Sequence, residues 1–315
     1  MRYTILGMLL FTGSAHPALA RELSKKLHVP LGSVVLKRFS SGECYVRFEE
    51  SVRGKDVYIL QAPGIDPDPA LIELCLMCQA AKLSFAKTVH IILPSFPYAR
   101  QDRVAEPREP ISAKLIARLL EVSGADHIIT LSLHSDQIQG FFSIPVDVLD
   151  AKAIFVDFFR KKKLKDPVVV STDVGGAKRS KKFADAMGAN LAIIHKIRGA
   201  HQTATATEVV GDVHGRTCIL YDDMIDTGGS LLTAKKALLK AGANKEMYAA
   251  ATHAFLSGKA AQNLRDAKFT EVIVTDSVAP QRTIRNVTVL PTAPLLAAVI
   301  NHIEKGESVT QIYKE

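Results

Sequence analysis

Two adjacent carboxylates and a glycine-rich turn occur within one short segment, Cys218–Ser230. An apolar stretch leads into Asp222 and Asp223, and after a third acid, Asp226, the chain runs Thr227-Gly228-Gly229-Ser230. Glycines let backbone amides approach a phosphate closely, and the start of a helix adds unpaired N–H groups and the positive end of a dipole. Thr227 and Ser230 add hydroxyl donors, so this turn predicts a phosphate site.

The acids of this segment require a different partner, because a carboxylate beside a bound phosphate would repel it. Vicinal ribose hydroxyls, which donate hydrogen bonds to carboxylates, fit Asp222 and Asp223. The structural alternative is an acidic strand end followed by a glycine turn, with Asp226 as a helix cap. The order of two adjacent acids, a third acid and Thr-Gly-Gly favours the binding of a sugar phosphate.

Short apolar runs alternate with longer helical patterns along the chain. The predicted strands are 33–36, 57–61, 89–93, 127–133, 168–171, 191–194, 218–221, 247–252, 272–275 and 287–290. The predicted helices are 69–85, 111–122, 151–162, 176–187, 230–241 and 257–266. Several strands are continuous in valine and isoleucine, as in strands covered on both faces. The pattern predicts an α/β fold with mostly parallel sheets flanked by helices.

Ten strands are many for one sheet, so we expect two similar domains joined within Pro145–Lys152. The predicted domains are residues 1–147 and 148–315. Roughly twelve C-terminal residues are expected to pack back on the first domain. Residues 127–140 and 217–229 both run from an apolar strand through a polar loop into a helix. Both would place polar side chains at the carboxyl end of a strand, where ligands of open α/β sheets bind.

The composition is that of a chain able to bury a large core. It has 315 residues, 47% hydrophobic and 23% charged, which excludes a disordered protein. The net charge of +8 suits an anionic ligand such as a nucleotide, a sugar phosphate or a nucleic acid. No nucleic-acid-binding motif or aromatic-basic stripe accompanies this charge, so nucleic acid is the weaker of these predictions.

The N-terminal apolar run, residues 5–11 followed by Ala18-Leu19-Ala20, imitates a short signal peptide. Because a single charge precedes the run, we instead expect a buried first strand, 3–10, and a helix from about Pro17. The four cysteines form no disulfide framework, and Cys75-x-x-Cys78 fits one apolar helix face better than a metal site. No apolar stretch reaches about 18 residues, so we expect no membrane span and a cytoplasmic protein.

Four further segments carry a resemblance to a known family. They are Phe39-Ser40-Ser41-Gly42-Glu43, Tyr98-Ala99-Arg100-Gln101-Asp102-Arg103, Leu133–Phe142 and Asp173–Arg179. Together with the Asp222 segment they resemble the ribose-phosphate pyrophosphokinase (phosphoribosyl pyrophosphate synthetase) family over nearly the whole chain.

The resemblance implies a type I phosphoribosyltransferase fold and a reaction for nucleotide biosynthesis. The β,γ-pyrophosphoryl group of ATP would pass to the C1 hydroxyl of ribose 5-phosphate, giving 5-phospho-α-D-ribose 1-diphosphate (PRPP) and AMP. It also implies a homo-oligomer, usually a hexamer built from dimers.

The resemblance also implies a set of site residues. ATP would contact Phe39, Ser41, Gly42, Glu43, Arg100, Gln101 and Asp102, and Mg²⁺ would bind His134 and Asp173. Lys196 and Arg198 would be catalytic, and ribose 5-phosphate would contact Arg198, Asp222, Asp223, Asp226, Thr227, Gly228, Gly229 and Ser230. Arg100 offers a planar fork to phosphates, and Phe39 fits either stacking on adenine or packing in the core.

The segment from Ile194 to Glu208 has no strong pattern after its apolar start, which predicts a lid loop. It contains His195-Lys196-Ile197-Arg198, where the family commonly has Asp-Lys-Arg-Arg. An acid and one cation are therefore missing, while both principal cations remain. The chain also has Phe85 where family members commonly have serine, at the phosphate and ADP site of regulated members.

Two other roles remain open. A phosphoribosyltransferase that consumes PRPP would explain the Asp222 segment but leave Arg100, Gln101 and His134 without a role. A non-catalytic regulatory paralogue would be expected to lack Lys196, Arg198 or His134, and all three are present.

Overall fold

The computed structural model describes residues 7–198, 205–281 and 283–313, which form two compact units. The first unit contains the chain up to Asp150, Ser277–Ala279 and the segment from Pro291, and the second contains Ala151–Asp276 and Pro280–Leu290. The division after Asp150 lies close to the expected joint after residue 147. The segment that returns to the first unit is longer than the roughly twelve residues expected.

The first unit is built on a parallel sheet in the order β1-β4-β5-β6-β7. Its strands are β1 (Met8–Thr12), β4 (Asp56–Leu60), β5 (Thr88–Ile92), β6 (His127–Leu131) and β7 (Val146–Leu149). Its helices are α1 (Pro17–Leu27), α2 (Pro67–Leu83), α3 (Ser112–Val122) and α8 (Ala293–Lys305). An antiparallel hairpin, β2 (Val34–Arg38) and β3 (Cys44–Phe48), completes the unit. The expected helix start at Pro17 is confirmed. Of the expected first strand, 3–10, residues 8–10 lie in β1, and residues 3–6 lie outside the described part of the chain.

Both faces of this sheet are covered, which explains the continuous apolar strands. Ile59 and Ile91 pack with residues of α2 and α3, including Cys78. Leu60 and Ile92 pack on the other face with residues of α1 and α8. Cys78 is thus a buried core residue, as its helical spacing with Cys75 predicts.

The second unit contains a seven-stranded sheet in the order β10-β9-β8-β11-β12-β13-β14. Its strands are β8 (Pro167–Ser171), β9 (Asn190–Arg198), β10 (Thr205–Val210), β11 (Thr217–Ile225), β12 (Met247–Ala254), β13 (Glu271–Thr275) and β14 (Val287–Leu290). Its helices are α4 (Lys152–Lys162), α5 (Ala177–Met187), α6 (Gly229–Lys240) and α7 (Ala260–Ala267). All neighbouring strands are parallel except β9 and β10. The expected α/β fold with two mostly parallel, helix-flanked sheets is confirmed.

The order of this sheet reverses between β8 and β11. From β8 the chain passes through α5 to β9 on one side, and from β11 it passes through α6 to β12 on the other. The two connections diverge and leave a crevice outside the carboxyl ends of β8 and β11. Ligands of open α/β sheets bind at such a switch point.

The sequence predictions omit β3, β7, β10 and α8. β3 is a partly exposed hairpin strand, and β7 has only four residues, one of them Asp147. Within α8 the run Leu295–Ile300 is continuously apolar, and a strand and a buried helix cannot be distinguished in so short a run. Pro294 near its start and Gly306 at its end, with φ 68°, are the signals that identify the helix.

No helix among the described residues is long and apolar enough to cross a bilayer.

Candidate functional site

The carboxyl ends of β8 and β11 meet through a side-chain hydrogen bond. The hydroxyl of Thr172, which directly follows β8, donates to Oδ2 of Asp222 on β11. The backbone N–H of Asp223 donates to Asp222 Oδ1 at 2.8 Å. Burial, and then the neighbouring Asp223, raise the pKa of Asp222 to about 7. The switch point therefore holds an adjacent pair of acids with restricted orientations.

Arg179 on α5 contacts both acids of this pair. Its Nη1 lies 2.9 Å from Asp223 Oδ1 and 3.5 Å from Asp222 Oδ1. Sequence reasoning missed this contact, although Arg179 ends one of the segments that carry the family resemblance. The signal is its position in the first turn of the helix after β8, which directs a cation towards the neighbouring strand end.

The glycine-rich turn leads directly into α6. Gly228 has φ 72°, in the left-handed region, and is the residue before the first helical position, Gly229. Thr227 and Ser230 are exposed, while Gly228 is buried. The helix therefore begins with unpaired backbone N–H groups beside two accessible hydroxyls, as a phosphate site requires.

Asp226 is not the helix cap that the structural alternative expects. Its Oδ1 accepts a hydrogen bond from the hydroxyl of Ser257, and Asn263 Nδ2 donates to the Thr227 carbonyl at 2.8 Å. A side chain at Gly228 would lie 3.5 Å from Leu264. Residues of α7 and of the segment before it therefore pack against the turn and fix its position. No motif in the sequence indicated these contacts.

Asp173 lies exposed just beyond β8. Its Oδ1 accepts a hydrogen bond from the Gly176 N–H at 2.8 Å, and its carbonyl accepts one from the Ser171 hydroxyl at 2.7 Å. These bonds fix the residue and leave the carboxylate at the surface. A hard oxygen donor of this kind fits Mg²⁺, which is usually held by one or two carboxylates together with substrate phosphates.

His134 belongs to the first unit, where it is exposed between β6 and a 3₁₀ turn at Asp136–Phe141. Among the described parts of the chain, no group of three or more histidine, cysteine, aspartate or glutamate side chains forms a ready-made metal cage. The two predicted metal ligands are thus carried by different units.

The segment Phe39–Glu43 is the turn of the β2–β3 hairpin. The N–H of Phe39 donates to the Glu43 carbonyl, and the N–H of Gly42 donates to the Phe39 carbonyl, both at 2.9 Å. Ser41 donates to Glu43 Oε2 at 2.8 Å. The Phe39 ring is 55% exposed, so core packing is wrong and an accessible aromatic surface is left for stacking.

The segment Tyr98–Arg103 follows β5 and contains a tight turn at Tyr98, which has φ 59°. Arg100 is exposed on this turn. Gln101 accepts a hydrogen bond from the Ser112 hydroxyl, and its carbonyl accepts one from the N–H of Ala113 at 3.1 Å. Gln101 therefore also anchors the start of α3, a role that the sequence interpretation did not include.

Lys196 and Arg198 lie on β9, in antiparallel register with Thr207 and Thr205 of β10. The expected loop over 194–208 is wrong for 194–198 and 205–208, which are strand. The side chains of Lys196 and Arg198 and the residues 199–204 lie outside what the structure describes. The apolar residues of β10 include only one adjacent pair, Val209-Val210, which is too short a run to have indicated this hairpin.

Comparison with known proteins identifies the family. A model of the N-terminal domain of ribose phosphate pyrophosphokinase matches residues 8–124, and one of a phosphoribosyl synthetase-associated domain matches residues 198–314. Ribose-phosphate pyrophosphokinase of Helicobacter pylori is 43% identical over 307 residues, 98% of this chain and 96% of that protein. The Bacillus caldolyticus protein of the same name is 42% identical over 306 residues, 96% and 97% of the two chains. The chain belongs to the ribose-phosphate pyrophosphokinase family.

A solved family member has the same fold. The crystal structure of phosphoribosylpyrophosphate synthetase from Mycobacterium smegmatis superposes with a TM-score of 0.90 at 43% identity, covering 95% of this chain and 99% of that one. The chain is thus an enzyme with the type I phosphoribosyltransferase fold. It transfers the β,γ-pyrophosphoryl group of ATP to the C1 hydroxyl of ribose 5-phosphate, which yields PRPP and AMP for nucleotide biosynthesis.

Proposed function

We propose that ribose 5-phosphate binds at the switch point of the second unit. The observation that carries this proposal is the placement of Asp222 and Asp223 at the carboxyl end of β11, one turn before the α6 N-terminus. The acids accept hydrogen bonds from the ribose hydroxyls. The backbone N–H groups of Gly228–Ser230 and the hydroxyls of Thr227 and Ser230 hold the 5-phosphate, and Asp226 orients the turn.

ATP binds to the first unit in this proposal. The exposed Phe39 ring stacks on adenine, and Ser41, Gly42 and Glu43 contact the nucleotide from the same hairpin turn. Arg100 provides a guanidinium fork for the phosphates, with Gln101 and Asp102 on the same turn. The backbone of Gly42 has φ 92°, which a larger residue would strain, so the hairpin turn keeps its shape.

The reaction requires positioning and charge neutralisation rather than covalent participation by the protein. The anomeric hydroxyl oxygen of ribose 5-phosphate forms a bond to the β-phosphorus of ATP and releases its proton to solvent. The bond from that phosphorus to the α-phosphate oxygen breaks, and AMP leaves with that oxygen. Lys196 and Arg198 stabilise the negative charge of the transferred group, and Arg198 also contacts ribose 5-phosphate. Arg100 neutralises the phosphates of the donor.

Mg²⁺ is the proposed cofactor. The proposed ligands are Asp173 in the second unit and His134 in the first, each acting together with substrate phosphates. When bound, the ion neutralises phosphate charge and favours one phosphate geometry. Asp173 suits this role because its carboxylate is exposed while the hydrogen bond from Gly176 keeps it in place.

The test is an assay of AMP formation from ATP with and without ribose 5-phosphate, Mg²⁺ and inorganic phosphate, in the absence of any nucleobase. We expect AMP to form only when both ribose 5-phosphate and Mg²⁺ are present. AMP formation that ignores ribose 5-phosphate, or consumption of PRPP only in the presence of a base, would contradict the proposal.

A pair of variants tests the sugar site itself. Asp222→Asn should raise the KM for ribose 5-phosphate strongly. The asparagine amide has one oxygen that accepts hydrogen bonds, whereas the carboxylate has two. Asp212→Asn changes an exposed acid of the same unit that pairs with Arg216, and it should leave both substrate constants unchanged. Equal constants in the two variants would exclude Asp222 from the sugar site.

The protein is also proposed to form a homo-oligomer, with a hexamer built from dimers as the expected form. The first unit exposes Ile72 and Leu83 on α2, Phe85 just after it, and Leu115 and Val122 on α3, with Leu83 71% and Val122 75% exposed. Because α2 and α3 contact each other, these exposed apolar side chains support an interaction surface on the two helices. Light scattering should show a mass that is a multiple of the chain mass. Val122→Lys should lower this measured mass, and the control variant Leu239→Lys on α6 should leave it unchanged.

The cytoplasm is the proposed compartment. All four cysteines are free thiols, as expected of a protein in a reducing environment. Immunofluorescence or fractionation in the native host that places the protein outside the cytoplasm would contradict this assignment.

A further inference from the structure

Arg179 is placed to bridge the two acids of the proposed sugar site. It lies in the first turn of α5, and its side chain is about one quarter exposed, at 24%. One guanidinium nitrogen, Nη1, lies 2.9 Å from Asp223 Oδ1 and 3.5 Å from Asp222 Oδ1. A single donor group therefore spans two adjacent carboxylates.

The pair needs such a partner. The Asp223 side chain is only 4% exposed, and a carboxylate buried without a counter-charge is strongly destabilised. Asp222 is 22% exposed and lies directly beside it, so each acid disfavours ionisation of the other. Burial, with the neighbouring Asp223 as the next cause, raises the pKa of Asp222 to about 7.

Asp222 is oriented by other contacts besides Arg179. Asp222 Oδ2 accepts from the Thr172 hydroxyl, and Oδ1 accepts from the Asp223 N–H at 2.8 Å. These bonds orient Asp222. The guanidinium contacts the side chains of both acids and so constrains Asp222 relative to Asp223.

We propose that Arg179 is a positioning residue for the pentose: it aligns the Asp222–Asp223 pair towards the ribose hydroxyls and cancels one of its two negative charges. The cancelled charge matters because the phosphate turn begins only a few residues further on, and two unneutralised acids would repel the 5-phosphate. This role rests on the proposed assignment of Asp222 and Asp223 to ribose 5-phosphate.

Arginine suits the position better than lysine. Its planar fork presents several N–H donors in a rigid arrangement, whereas a lysine ammonium is a compact charge on a flexible stem. Arg179→Lys would keep the charge but lose the fixed geometry, and Arg179→Met would lose both while retaining a long apolar side chain.

The experiment measures kcat and the KM values for ribose 5-phosphate and ATP in Arg179→Lys and Arg179→Met, with thermal unfolding as a check on folding. We expect the methionine variant to raise the KM for ribose 5-phosphate about tenfold or more, by analogy with other supporting residues. The lysine variant should lie between it and the unmodified protein, and the KM for ATP should change less than twofold in both.

The matched control is Lys181→Ala on the same helix. Lys181 pairs with Asp185 at the surface, and both side chains are 60% exposed, so its loss also removes an ion pair from α5. All kinetic constants should stay unchanged. A purely structural Arg179 would lower the unfolding temperature without moving the ratio of the two KM values, and that result overturns the proposal.

Two outcomes separate this inference from the proposed sugar site. If Asp222→Asn raises the KM for ribose 5-phosphate and both folded Arg179 variants do not, the sugar site stands and the role of Arg179 is refuted. If Asp222→Asn itself leaves that KM unchanged, the sugar site and the role of Arg179 are refuted together. Should Arg179→Met fail to fold, the ratio of KM values in Arg179→Lys decides in the same way.

Discussion

In the first unit the Nδ1 atoms of His90 and His127 lie 3.0 Å apart, with the two rings edge to face. His90 stacks on Tyr58, and its Nε2 contacts the hydroxyl of Thr88. His127 Nε2 lies 3.1 Å from Asp147 Oδ2. Burial, and then the neighbouring His127, lower the pKa of His90 to about 4. The central strand of the sheet thus carries a largely buried neutral imidazole.

This pair predicts a loss of stability at mildly acidic pH. An unfolded histidine has a pKa of about 6.5, so between about 6.5 and 4 the unfolded state binds more protons than the folded state. The stabilisation that comes from the lowered pKa of His90 is fully present above about pH 6.5, and it is lost as the pH falls towards 4. A shift of this size corresponds to at most about 3 kcal/mol.

Urea unfolding of the unmodified protein and of His90→Gln between about pH 7 and pH 5 checks this prediction. The midpoint of the variant should depend less on pH, because glutamine does not titrate. The control is His28→Asn. His28 is exposed and has a left-handed backbone conformation, which asparagine tolerates, so this variant should keep the full pH dependence of the urea midpoint. An unchanged slope in His90→Gln would exclude His90 as the source.

Lys196 is expected to act on the rate and not on nucleotide binding. Lys196→Ala should lower kcat about 10²–10³-fold, as removal of a single charge-stabilising donor commonly does, because the charge on the transferred group develops in the transition state. Equilibrium binding of ATP should be nearly unchanged. Lys236→Ala, which removes an exposed cation from α6, is the control and should retain full activity. Full activity of Lys196→Ala would remove Lys196 from the mechanism.

Gly228 is expected to be required by its backbone conformation. Gly228→Ala places a side chain at φ 72°, at a cost of about 1–2 kcal/mol, and should displace the backbone amides that we propose as donors to the 5-phosphate. Gly215→Ala imposes a similar cost at φ 66°, where an added Cβ meets nothing within 4 Å. Both variants should unfold at lower temperature, and only Gly228→Ala should raise the KM for ribose 5-phosphate. A raised KM in both would attribute the effect to general destabilisation.

Thr172 and Thr130 form a matched pair of buried hydroxyls. Thr172 is 2% exposed and donates to Asp222, whereas Thr130 is 1% exposed and its hydroxyl has no hydrogen-bond partner among the described residues. Thr172→Val should raise the KM for ribose 5-phosphate several-fold, because Asp222 loses an orienting donor. Thr130→Val should leave the kinetics unchanged and maintain or raise the free energy of unfolding. Steady-state kinetics together with urea unfolding distinguish the two variants. An equal change of the KM for ribose 5-phosphate in both would count against the role of Thr172.

Much of the architecture follows from local pattern. Strands such as β8, β11 and β13 contain continuous apolar runs at 168–170, 218–221 and 272–274, and such runs form when both faces of a parallel sheet are covered. The elements that the sequence did not predict lack a clear pattern of apolar and polar residues. β3 is half-exposed, and the continuous apolar run Leu295–Ile300 of α8 hides the helical period in the sequence. Their conformation depends on the surfaces they contact more than on their own residue order.

The amino-acid sequence by itself determined the chemical character of the segment Cys218–Ser230, because paired acids, a glycine turn and a helix start are consecutive there and their geometry is local. Only the tertiary structure decided which distant groups support it. Arg179, Thr172 and Asn263 approach the segment because the sheet order reverses between β8 and β11 and because α7 packs beneath the turn. Contacts across a sheet depend on the order of its strands, and the spacing of residues along the chain does not predict that order.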